Sequence, residues 1–61
     1  MEELLTVRQA ADLYQVKEDT VRRWIREAGL PARRIGPRGL IRIPRAELEA
    51  WAAEAAAARA V

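Results

Sequence analysis

The 61 residues include no Cys, no His and no Ser, which leaves room for one small domain and little chemistry. A chain this short buries only about 60% of the surface it exposes when unfolded, and it has neither disulfides nor the usual zinc ligand sets to staple it. Its hydroxyls are Thr6, Thr20 and Tyr14, too few for a nucleophile–base pair, and a fold this small has no cleft of useful size for a carboxylate pair; no enzymatic activity, cofactor or metal site is expected.

The formal net charge is +2, unevenly spread. Residues 1–16 carry Arg8 against three acids and residues 46–61 carry Arg59 against three, a net −2 each. Between them, 17–45 hold nine basic residues against Glu18, Asp19 and Glu27, a net +6. A basic middle between acidic ends points to a face for a polyanion; a merely solvated arginine-rich surface would look the same in composition. The acidic opening MEELL has no signal-peptide pattern. No apolar run approaches the ~20 residues of a membrane span. A soluble, cytoplasmic, nucleoid-associated protein with no membrane contact is expected.

Thr6 and Gln9 stand at capping-box spacing, so a first helix is predicted to begin there, with Leu5 packing back against it. Val7, Ala10, Ala11 and Tyr14 fall on one face at helical spacing, and the helix should end near Tyr14. Leu13 lies off that stripe. Gln15, Val16 and Lys17 form a turn, with Val16 as its buried plug. A second helix is predicted over about 18–28. Glu18 and Asp19 in its first turn favour the positive end of the helix dipole. Val21, Trp24, Ile25 and Ala28 form its apolar stripe, and Gly29 then Pro31 end it.

Two short runs around Gly36-Pro37-Arg38-Gly39 predict a β-hairpin over 32–43. Ile35, Ile41 and Ile43 are expected to face inward, Arg34 and Arg42 outward, and Arg33 to sit at an edge. Pro44 suits the first turn of a third helix, which should run to near Ala58 with Leu48, Trp51 and Ala55 inward. Past Ala52 the sequence is alanine-rich, good for helix but poor in apolar bulk.

Helix, turn, helix, hairpin, helix is a mainly α fold with a small β-hairpin, a winged helix-turn-helix. It is expected as one domain over 1–61, with a core of about 4–52 and a helical extension over 53–61. The DNA major groove admits one α-helix. The second helix is short, has a basic solvent face, and is braced through Val21, Trp24 and Ile25. Lys17, Thr20, Arg22, Arg23 and Arg26 on this unit are candidate DNA contacts. Arg34, Arg38 and Arg42 on the wing are candidates for the backbone or a neighbouring minor groove. Trp24, Trp51 and Tyr14 lie on apolar stripes and are expected in the core, not as stacking platforms for single strands.

The chain resembles the excisionase-type, MerR-like winged helix-turn-helix family. LLTVRQAADLY is similar to that family's first helix with its Ala-Ala pair, VKEDTVRRWIREAGLPARRIG to its turn, recognition helix and first wing strand, and RIPRAELEAW to its second strand and closing helix. The resemblance covers roughly 4–52 and is strongest in the ordered run from Asp19 to Pro31. It implies sequence-guided binding of double-stranded DNA in excision, transcriptional regulation or phage DNA packaging. Gln15 departs from the family's usual turn Gly and Lys17 from its usual Ser cap. The alternative is a protein-interaction adaptor or self-associating module that keeps the fold without binding DNA. RNA binding is a third reading, disfavoured by the few aromatics. One such unit touches only a short stretch of duplex, so further copies on DNA or a larger partner protein are expected to add specificity.

Overall fold

The computed structural model describes residues 2–59 and opens on a two-residue strand, β1 (Leu4–Leu5), followed at once by α1 (Val7–Tyr14). The Thr6 hydroxyl accepts from the Gln9 amide at 3.0 Å while the Gln9 side chain accepts from the Thr6 amide at 2.8 Å. This reciprocal box satisfies two donors that a helix start otherwise leaves unpaired. α1 ends because Gln15 turns left-handed, with φ 55° and ψ 45°. The Val16 amide then returns to the Ala11 carbonyl at 2.9 Å, which reverses the chain within three residues.

The second helix, α2 (Glu18–Glu27), starts from Lys17, which makes no side-chain capping bond. It ends one residue short of expectation. Ala28 leaves the helix with φ −111°, Gly29 follows at φ +75°, and the Trp24 carbonyl accepts from the amides of both Ala28 and Leu30. Gly29 thus does the work predicted for it. Ala28, assigned to the apolar stripe by periodicity, is exposed because the helix has already ended. Val21 is fully buried, and Trp24 and Ile25 pack half-buried against the core.

The wing strands are β2 (Arg33–Ile35) and β3 (Leu40–Pro44), joined by a four-residue turn over 36–39. Gly39 donates to the Gly36 carbonyl at 3.1 Å, and both glycines hold positive φ. The sheet has three strands, not the two expected: β1 pairs antiparallel with β3, giving the order β1-β3-β2. Leu5 opposes Ile43, and both are buried. Two residues carry too little alternation to announce a strand, so the sequence around Leu5 points only to packing against the helix that follows.

The register overturns part of the predicted wing. Arg34 opposes Ile41 and Ile35 opposes Leu40. Directly opposed residues share a face, so Ile35 lies on the face away from Ile41. Ile35 is 41% exposed and Leu40 50%. Arg34 and Arg42 therefore lie on opposite faces, not both outward. The cause is the turn: with four residues between the strands it pairs 35 with 40, and strand alternation then fixes everything behind it.

The last helix, α3 (Arg45–Arg59), begins one residue after Pro44, which ends β3 instead of opening the helix. The Arg45 amide donates to the Glu3 carbonyl at 2.9 Å. Leu48 is buried, and Trp51 and Ala55 are half-buried. The remaining described alanines beyond Ala52 are exposed, as their lack of bulk predicts; residues 60–61 of the expected extension lie outside the described residues. One core, from Leu5, Val7, Ala10, Ala11, Val21, Leu30, Ile43 and Leu48, joins all three helices to β1 and β3. Ala10 and Ala11 have no bulk beyond Cβ, and they let α2 approach α1 closely. The fold is mainly α with a β wing, a winged helix-turn-helix. No helix among the described residues is long and apolar enough to cross a membrane.

Candidate nucleic-acid interface

The solvent face of α2 is set by what its opposite face buries. With Val21, Trp24 and Ile25 turned to the core, Arg22, Arg23, Arg26 and Glu27 are left exposed. Arg23 and Arg26 have no carboxylate within ion-pair distance among the described residues. Arg26 also sits in the last turn, where a cation suits the helix dipole. Lys17 is exposed at the N-cap, and Thr20 is half-buried one turn into the helix.

Arg22 differs from its neighbours. Its guanidinium lies 3.6 Å from Glu18 and 3.5 Å from Asp19. The pairs are solvent-exposed and contribute about 0–1 kcal/mol to stability, so a phosphate or a base edge can displace them at small cost. They hold the guanidinium over the first turn of α2, the part of a recognition helix nearest the bases.

On the wing, Arg38 is exposed at the tip between Gly36 and Gly39, and Arg34 is exposed on β2. Arg42 is half-buried, and its Nη1 donates to the Ile41 carbonyl at 2.8 Å. Arg22 and Arg42 come together on one open groove between the wing and the helices, which Arg8 of α1 also lines. Lys17, Thr20, Arg23, Arg26, Arg34 and Arg38 stand outside that groove. Arg8 stands alone in an acidic segment, and nothing local in the sequence sets it beside Arg22 and Arg42.

Two arginines of the basic middle are committed elsewhere. Arg33 bridges Glu2 at 2.6 Å and Glu47 at 3.4 Å. Arg45 bridges Glu3 at 3.4 Å and Glu49 at 3.8 Å. Glu2, Glu3, Glu47 and Glu49 thus gather on the side of the sheet and α3, and among the described residues the cations without a carboxylate partner lie on α1, α2 and the wing. A rigid, basic helix with a basic hairpin beside it can contact a regular polyanion at two separated places at once.

Residues 4–56 match a family model described as a helix-turn-helix domain. No curated protein and no solved structure matches the chain.

Proposed function

Because the chain belongs to the helix-turn-helix domain family, a family of DNA-binding domains, we propose that it reads double-stranded DNA in a sequence-guided way, with α2 in the major groove and the wing on the backbone or the neighbouring minor groove. The observation that supports this most directly is the outward face of α2, where Arg23 and Arg26 stand exposed without acidic partners among the described residues while the opposite face is fixed in the core.

In this reading Thr20, Arg22 and Arg23 meet base edges or phosphates, while Lys17 and Arg26 hold phosphates at either end of the helix. Arg38 reaches from the wing tip, with Arg34 and Arg42 behind it. The unit over 4–52 does the binding, and the alanine-rich residues 53–61 extend it. It acts as a non-enzymatic module on chromosomal or phage DNA in the cytoplasm, in excision, recombination or transcriptional regulation. Additional copies on DNA or a larger partner protein raise specificity.

The test is equilibrium binding to duplex DNA across a salt series, following in vitro selection of a target. A steep fall in log affinity with log salt is expected. Absence of affinity for any duplex refutes the reading. A second reading, a self-associating module without DNA affinity, draws on the open apolar groove lined by Tyr14, Trp24, Trp51 and Ala55; sedimentation that gives a monomer at every concentration removes it.

A further inference from the structure

The chain has three aromatic residues, Tyr14, Trp24 and Trp51, and none of them enters the fully buried core, which is aliphatic throughout. All three are half-buried and line one open hollow of about 300 Å³ between the C-terminal ends of α1 and α2 and the flank of α3. Ala52, Ala55 and Ala56 complete its wall. They have no bulk beyond Cβ, so they leave empty the space beside the indoles that larger side chains would fill. Past Trp51 the hollow continues to Ala28 and Glu54, then to Pro31 and Glu47, and so becomes a trough along α3.

We propose that this trough docks an amphipathic helix of another protein, with large apolar residues at i, i+3, i+4 and i+7 and Lys or Arg beside them. The assignment is independent of the DNA-binding reading, since Arg22, Arg23 and Arg26 take no part in the trough.

Three features define the occupant. The first is the wall itself. Trp and Tyr concentrate binding energy at protein interfaces, and here the indoles are already held in place. Trp51 donates to the Ala28 carbonyl at 3.0 Å, and its ring lies 5.4 Å from that of Trp24. A partner meets them with little ordering left to do.

The second feature is charge. The charged residues of the trough are Glu47 and Glu54, and no Arg or Lys lines it. Glu54 has no ion pair among the described residues. An acidic rim repels a nucleic-acid strand that could otherwise stack on the indoles, and it calls for cations on the partner. A second copy of this chain fits less well, because a two-fold dimer sets the same patch against itself and brings like-charged rims together. The third feature is shape. The walls are helices and their ends, with no strand edge for an extended peptide to join, so a helix laid in the groove is the mode that fits.

The test is selection on the full chain from a displayed library of peptides of about 16 residues, roughly four helical turns. Ala55→Arg, which fills the trough, serves as the counter-target. Glu54→Lys reverses the rim charge at an exposed position. Both variants should match the parent in far-UV circular dichroism. The selected peptides should carry the apolar helical pattern and a net positive charge. Their binding should shift the tryptophan emission to the blue, disappear in Ala55→Arg and weaken several-fold in Glu54→Lys. A selection without binders overturns the proposal, as do binders that are acidic, unpatterned or equally tight on a folded Ala55→Arg. Should Ala55→Arg fail to fold, unchanged peptide affinity in Glu54→Lys overturns it. If sedimentation gives a parent dimer that Ala55→Arg abolishes, the trough belongs to a second copy and the proposal falls.

Discussion

The indole N–H of Trp51 donates to the Ala28 carbonyl across 3.0 Å, and this bond fastens α3 to the end of α2. The same indole meets Trp24 with ring centroids 5.4 Å apart and planes tilted by 46°. α3 therefore braces α2 at its C-terminal end, while Val21 braces it near its start. Trp51→Phe keeps an aromatic ring but removes the donor. Urea unfolding should show a loss of about 0.5–1 kcal/mol, the low end for a hydrogen bond because the contact is exposed. Trp51→Ala should cost about 2 kcal/mol, below the ~3–5 of a fully buried ring.

Among the described residues, Gln15 is the one non-glycine with positive φ. A left-handed conformation costs an L-residue about 1–2 kcal/mol, and glycine's greater unfolded-state freedom takes back part of the gain. Gln15→Gly should stabilise the domain by about 0.5–1 kcal/mol, seen as a higher denaturant midpoint at unchanged m-value. A lower midpoint would mean that the Gln15 side chain supplies something the turn geometry does not show.

Lys17 sets stability against binding. It cannot accept the capping hydrogen bond, and α2 begins uncapped. Lys17→Ser supplies the acceptor and should stabilise by about 1 kcal/mol. It also removes a cation from the start of α2, so duplex affinity should drop and the salt slope flatten by about 1. Opposite movement of the two quantities is the signature; a variant that gains stability at full affinity excludes Lys17 as a phosphate contact.

Arg23→Ala and Arg26→Ala should leave the fold intact, since both side chains are exposed and unpaired among the described residues and surface changes of this kind stay within about 0.5 kcal/mol. Each should weaken duplex binding. If Arg23 reads a base, its loss relaxes sequence preference, at a cost of about 1–3 kcal/mol on the preferred site alone. If Arg26 holds a phosphate, its loss is uniform across sequences. Competition titrations with matched and scrambled duplexes separate the two.

The helix-turn-helix unit was legible in the sequence because its signals are local. The Thr6–Gln9 box, the Glu18–Asp19 start and the Gly29 stop each need only a few neighbouring residues, and each fell within one residue of its expected place. The misread features depend on partners distant in sequence. β1 exists only because β3 lies beside it. The inward or outward facing of Ile35 and Arg34 follows from a turn that pairs residues 35 and 40. Charge sums placed Arg33 and Arg45 in the basic middle, but their partners, Glu2, Glu47, Glu3 and Glu49, lie in the acidic ends or are supplied by them. Arg8 shows the converse: an arginine counted with the acids that folding sets beside Arg22 and Arg42.

The backbone bond from the Arg45 amide to the Glu3 carbonyl, with the Leu5–Ile43 pairing next to it, has a consequence for synthesis. β1 leaves the ribosome as the outer strand of a sheet whose central strand, β3, is made about 40 residues later. α1 and α2 can dock as they emerge, since their contacts are local, whereas the start of α3 finds its partner about 40 residues upstream, at Glu3. A nascent chain arrested before residue 45 should thus expose the recognition unit to protease, and resistance should appear in one step once β3 and the beginning of α3 are clear of the exit tunnel.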